Sequence, residues 1–193
     1  METFNHTPNK TTQRKTYHIF QDWKINKGNI KGRIVLALYR LATLIRSQKI
    51  LVILFFWYLL FYRIFVEWFL NIEIHWNSTI GKGLRLEHGH GTVIHGDAIL
   101  GDYCTIRHLT TIGIIKHEDG SYTPPPRLGN NVDVGASVTI IGGITIGDNV
   151  LIGAASLVVR DIPANTTALG NPARVIKRHD EAGPLKQSSN GTV

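Results

Sequence analysis

From Leu128 to Val159 an aliphatic residue recurs every six positions: Leu128, Val134, Ile140, Ile146, Ile152 and Val158. Gly129, Gly135, Gly147 and Gly153 directly follow four of these marks. A helix repeats near 3.6 and an ordinary strand at 2, so neither accounts for a period of six. A hexapeptide repeat is the signature of a parallel β-helix, in which short flat faces alternate with turns and three hexads close one triangular coil. The mark points inward and stacks on its equivalents in adjacent coils. The small residue beside it suits a crowded corner.

The same grammar extends upstream. Ile74, Ile80 and Leu86 are in phase, as are Ile94, Leu100, Ile106 and Ile112. Two steps break the period. Leu86 to Ile94 is eight residues, across GHG, and Ile112 to Leu128 is sixteen, across IIKHEDGSYTPPPR. Insertions in a repeat array become loops that often line the binding face, and three consecutive prolines predict a stiff, extended loop. About thirteen hexads predict four to five coils, each touching mainly its neighbours.

Four regions follow: a basic, partly disordered arm (1–29), an apolar helical segment (30–71), the β-helix with its loop 113–127 (72–162), and a C-terminal tail (163–193). Pro163 and Pro172 are expected to end the ladder, with a turn at Gly170 and Asn171. Residues 1–49 carry ten Lys/Arg against Glu2 and Asp22, a net of +8, while residues 50–193 sum to −1. A basic arm beside an apolar segment suits an anionic membrane surface better than nucleic acid, and no nucleic-acid partner is expected. A solvated tail with no partner is the alternative.

Ile50 to Tyr62 is uncharged but only 13 residues long, short of the roughly 20 that span a bilayer. Reaching Leu70 takes in Arg63 and Glu67, which would be costly in lipid. Helices packed on the repeat domain or on a partner subunit, and a membrane-surface anchor through 30–70, therefore stay open. No secretory signal is visible. The expected location is the cytoplasm, with peripheral contact to the inner membrane face as an option. Cys104, the sole cysteine, is expected as a small buried apolar residue.

The ladder, its two interruptions and the ending DIPANTTALGNPARVIKR resemble the hexapeptide-repeat acyltransferases. IEIHWNSTIGKGLRLEHGHGTVI is most similar to their serine acetyltransferase branch, and the apolar leader resembles exopolysaccharide O-acetyltransferases of the colanic acid kind. The resemblance covers about Ile72 to Arg178 and implies an all-β, left-handed parallel β-helix that assembles as a homotrimer. It implies acetyl transfer from acetyl-CoA, with no metal, to a hydroxyl of a saccharide acceptor, lipid-linked where the leader meets a membrane. Serine O-acetylation is the alternative. A γ-type carbonic anhydrase and a non-catalytic assembly module are the readings from other classes.

His88, at the eight-residue break, is the expected general base, against the plainer reading of a surface histidine beside a glycine turn. Glu73 lies fifteen residues earlier, close to one 18-residue coil, and is expected to orient it; the family has Asp at that position. Glu87 matches a family acid that contacts the acceptor, and His108 is expected to face the same cleft. Pro124 and Pro125 stand where the serine-specific branch has an Arg-His pair suited to an amino acid's carboxylate, which argues against free serine. Ala136 and Ala154 match the pantetheine groove, with Gly113 and Thr139 as weaker candidates. Arg174 and Lys177 are expected near the CoA phosphates. His90, His95 and His117 read as solvated loop histidines.

Overall fold

The computed structural model describes residues 18–178. It is a left-handed parallel β-solenoid of about five coils, preceded by helices. Face I stacks Ile72–Ile74, Thr92–Ile94, Thr111–Gly113, Thr139–Ile141 and Leu157–Val158. Face II stacks Thr79–Ile80, Ile99–Leu100, Arg127–Leu128 and Thr145–Ile146. Face III stacks Arg85–Glu87, Thr105–Arg107, Asp133–Val134, Leu151–Ile152 and Thr166–Leu169, closed by the antiparallel strand Arg174–Arg178.

All thirteen aliphatic marks are buried in one continuous core. The interruptions appear as changes in coil length. Ile80 pairs with Leu100, twenty residues on, and Leu100 with Leu128, twenty-eight on, whereas Leu128 pairs with Ile146, eighteen on. Two and ten residues are thus added to a coil of eighteen. The longer insertion turns back on itself, with the His117 N–H donating to the Ser121 carbonyl and the Thr123 N–H to the Ile115 carbonyl.

At Gly129 and Gly135 the glycine after a mark is required by the next coil. A Cβ on Gly135 would stand 2.5 Å from the Ala154 nitrogen, and one on Gly129 2.8 Å from the Asp148 nitrogen. Real Cβ atoms do not approach so closely. Cys104 is buried, and burial pushes its thiol up to about 11.

Two boundaries differ from expectation. The ladder does not end at Pro163: Thr166–Leu169 pairs with Leu151–Ile152 and then with Arg174–Arg178. Proline blocks pairing only at its own nitrogen, so a strand resumes three residues later. Likewise, 18–29 is not part of a loose arm. Asp22 and Asn26 are buried, and their side chains satisfy the exposed edge of the first coil. The Leu84 N–H donates to Asp22 Oδ1 (2.9 Å), Asn26 Nδ2 to the Leu84 carbonyl (2.8 Å) and the Leu86 N–H to Asn26 Oδ1 (3.0 Å). An unpaired strand edge needs such a cover, and polar side chains supply it here. The stretches METFNHTPNKTTQRK and EAGPLKQSSNGTV lie outside the described residues.

The helical segment forms α1 (Ile30–Arg46), α2 (Lys49–Leu54), α3 (Phe56–Tyr62) and a π-helical stretch, Arg63–Phe69. Asn29 caps α1, accepting from the Gly32 N–H, and also donates to the Leu86 carbonyl. Val35, Leu36, Tyr39, Ala42 and Ile45 form its buried stripe. Tyr39 donates to the Ser78 carbonyl and Tyr62 to the Ile74 carbonyl, so the helices sit on the first coil. Among the described residues no helix is long and apolar enough to cross a membrane.

Candidate active site

Leu86 pairs with Ile106, Ile106 with Val134, Val134 with Ile152 and Ile152 with Ala168. The residue two places past each therefore falls on one edge of the prism, between faces III and I. In coil order these are His88, His108, Ala136, Ala154 and Gly170. Backbone bonds run along the same edge, from the Ser137 N–H to the His108 carbonyl and from the Ala155 N–H to the Ala136 carbonyl. Two imidazoles occupy one end of this edge and small residues the other.

The eight-residue step reshapes the histidine end. His88, Gly89 and Gly91 all have positive φ (62°, 68° and 65°). His88 departs from the regular corner, whose left-handed residue falls three past the mark; here that place is taken by Gly89. A left-handed histidine is uncommon and worth a functional question. The His88 ring is exposed and meets His108 edge-on, 5.7 Å between centroids. His90 stacks on His108, 5.0 Å between centroids. His108 Nδ1 is buried and has no hydrogen-bond partner among the described residues. His90 is exposed in a turn, as expected, but its ring also stacks on His108; the two-residue insertion brings it there, and no local pattern marks it.

Glu87 lies beside His88, bordering a hollow with Gly28 and Asn29. Its carboxylate accepts from Arg107 Nε at 2.8 Å and stands 3.5 Å from Arg85 NH1. Arg107 also binds Asp133 and the Val134 carbonyl. Burial alone would weaken the guanidinium's hold on its proton, but the bonds and charges of Asp133 and Glu87 outweigh it and raise its pKa.

Glu73 lies elsewhere. Its rung partner is Val93, because the first coil is twenty residues long. It is exposed on face I and borders a cleft of about 490 Å³ with His75, His95, Asp97 and Gly113. Among the described residues no hydrogen bond joins Glu73 to His88. Burial, then the Arg63 charge, lower the His75 pKa against the opposing pull of Asp97 and Glu73. Thr139 is on face I in the same column as Glu73, paired with Thr111 and Leu157. Arg174 pairs with Leu169 and Lys177 with Thr167, both exposed on the last strand, near Gly170. His117 is exposed in the long loop. Pro124 lies against face II's edge at Gly143, where an added Cβ would be 2.9 Å from its Cδ. Among the described residues no group of three or more His, Cys, Asp or Glu is placed to hold a metal ion.

A prism with this edge defines a class of left-handed β-helix proteins, and the comparisons narrow it. No family model matches the chain. It is 35% identical over 163 residues to a candidate colanic acid biosynthesis acetyltransferase, WcaB, of Escherichia coli, covering 81% of this chain and 98% of that one. It is 46% identical over 108 residues to the serine acetyltransferase of Synechococcus elongatus, covering 56% of this chain but 43% of the relative. The chain thus spans about two fifths of the length of that enzyme. Soybean serine acetyltransferase superposes with a TM-score of 0.69 at 30% identity, over 81% of this chain and 66% of the other. The Brucella abortus serine acetyltransferase in complex with coenzyme A gives 0.66 at 30% identity, over 79% and 58%. The chain belongs to the serine acetyltransferase-like branch of the hexapeptide-repeat acyltransferases.

Proposed function

We propose that this protein is an O-acetyltransferase that moves acetyl from acetyl-CoA to a saccharide hydroxyl in surface polysaccharide synthesis. The observation that carries the reading is the edge His88, His108, Ala136, Ala154, Gly170. Small residues let a pantetheine arm lie close to the backbone, and the arm's thioester end then meets the imidazoles. Arg174 and Lys177, beyond Gly170, supply cations at the end where CoA phosphates would sit. Gly113 and Thr139 on face I would border the groove from the other side, against a second prism of a homotrimer.

Neutral His88 accepts the proton of the acceptor hydroxyl as its oxygen attacks the thioester carbonyl. The tetrahedral intermediate then collapses, the C–S bond breaks, and the proton returns from the imidazolium to the CoA thiolate. General base catalysis of this kind contributes about 10²–10⁴-fold. Glu87, fixed by Arg107, is an acceptor of hydrogen bonds from sugar hydroxyls. Glu73 is kept as the acid that would orient His88 in the acceptor complex, although its rung partner is Val93 and no hydrogen bond joins it to His88 among the described residues. Catalytic hydrogen bonds of this kind often tighten only in the complex.

Three features support a saccharide over serine. Pro124 and Pro125 stand where the resemblance implies Arg and His. Glu87 is already paired with Arg107 and Arg85, which leaves it poorly placed to bind an ammonium group. WcaB is matched over 98% of its length, the Synechococcus serine acetyltransferase over 43%. The latter's 46% identity keeps serine as the second reading. CoA release should be measured against a panel of saccharides and serine, with His88→Ala as control. Turnover confined to serine would overturn the assignment.

A further inference from the structure

The apolar segment after α1 has one side on the prism and one side bare. Nothing in α2 is buried, although its sequence is KILVIL. Ile50, Ile53, Leu54, Phe55, Phe56 and Trp57 are all exposed, Trp57 at 68%. The surface continues through Leu60, Phe61 and Ile64 to Trp68 and Phe69, each of the last two 77% exposed. A contiguous apolar surface of this kind marks an interaction site.

Its charge pattern identifies the occupant. From Ile50 to Tyr62 there is no charged residue. Exposed Arg46 and Lys49 flank the surface on one side, and Arg63, its side chain 56% exposed, on the other. Residues 30–71 hold six Lys/Arg against Glu67 alone; Arg40 is buried against Asp22 and Arg63 pairs with Glu67, so Lys31, Arg33, Arg46 and Lys49, with the cations of the preceding 29 residues, supply the charge. Cations around an uncharged apolar patch that includes two exposed tryptophans match an anionic headgroup layer over acyl chains. No described helix is long and apolar enough to cross, and the helix is interrupted at Phe55 between α2 and α3, so the segment would lie along the interface.

We propose that α2, α3 and the π-helical stretch form an interfacial anchor that seats the enzyme on an anionic bilayer. The inference is independent of which hydroxyl receives the acetyl group. It also bears on the site, because α1 packs on α2 and α3 and begins beside Gly28 and Asn29, which border the hollow at His88. Docking therefore holds that hollow on the membrane-bound body of the protein.

Flotation of the full chain with vesicles tests this. Phosphatidylethanolamine–phosphatidylglycerol vesicles should carry the protein, with less carried at high salt and less by phosphatidylcholine alone. The double variant Ile53→Glu, Trp57→Glu should lose about tenfold or more of the binding while keeping its CoA-releasing activity. Should that variant fail to fold, tryptophan quenching of the wild-type chain by brominated phosphatidylglycerol gives the same answer. No binding of the wild type to the anionic vesicles, or unchanged binding of the folded variant, would overturn the proposal. So would dissociation of a larger oligomer in the variant, since the face would then be covered by a second copy.

Discussion

Arg107 and Glu87 are rung partners on face III, joined by a 2.8 Å bond from Nε to the carboxylate. The same guanidinium binds Asp133, one coil further on, so a single side chain ties three coils together beside His88. Planar guanidinium geometry suits such a double role.

Arg107→Met should free Glu87 and release the tie to Asp133. Because these side chains are about one third exposed, the stability loss should be small, about 1 kcal/mol. The acceptor KM should rise several-fold with less change in kcat, and Arg107→Lys should restore only part of it. Steady-state kinetics with denaturation curves for both variants check this. An unchanged acceptor KM would show that Glu87 needs no positioning.

With His88 as the proposed general base, His88→Ala should lower turnover about 10²–10⁴-fold. CoA binding should persist, because the proposed pantetheine positions Ala136 and Ala154 lie two and three coils away along the edge. Calorimetric titration with CoA, beside the activity measurement, separates loss of the base from loss of the groove.

Gly135→Ala should destabilise by about 1–3 kcal/mol, the usual cost of overpacking, since the new Cβ meets the Ala154 backbone at 2.5 Å. Gly113→Ala meets nothing closer than 3.9 Å and should leave the melting temperature nearly unchanged. If Gly113 borders the pantetheine groove, the latter variant should instead raise the acetyl-CoA KM.

Asp22 and Arg40 form a buried pair, 2.8 Å from Nε to Oδ2, and Arg40 also donates to the Ile80 and Gly81 carbonyls. Arg40→Met removes one charge and leaves the other buried, at a cost of about 3–5 kcal/mol. Urea unfolding should show it as a lower midpoint with unchanged slope.

Burial raises the Glu67 carboxyl, with Arg63 offsetting part of the effect and Glu73 adding to it; one carboxylate oxygen has no partner among the described residues. A raised folded pKa means that the folded state holds the proton more tightly than the unfolded chain. The resulting stabilisation is present below the ordinary glutamate range and is lost as pH rises through the raised value. Glu67→Gln should therefore flatten the stability profile over that window, read from melting temperatures across acid to neutral pH.

The period of six specified the inward marks, the coil and both insertions, because each is a local property of chain spacing. All thirteen marks are buried, and the coil steps of eighteen, twenty and twenty-eight follow from counting. The edge of His88, His108, Ala136 and Ala154 was latent in the same count, as the place two past a mark. Other features depended on how coils stack. Glu73 looked like a neighbour of His88 at a separation of fifteen, but the first coil has twenty residues, so its rung partner is Val93. The Glu87–Arg107–Asp133 tie, the stacking of His90 and the capping by Asp22, Asn26 and Arg40 join residues eighteen to sixty-two positions apart. No local period records such contacts, because they are set by which side chains meet once the prism has closed.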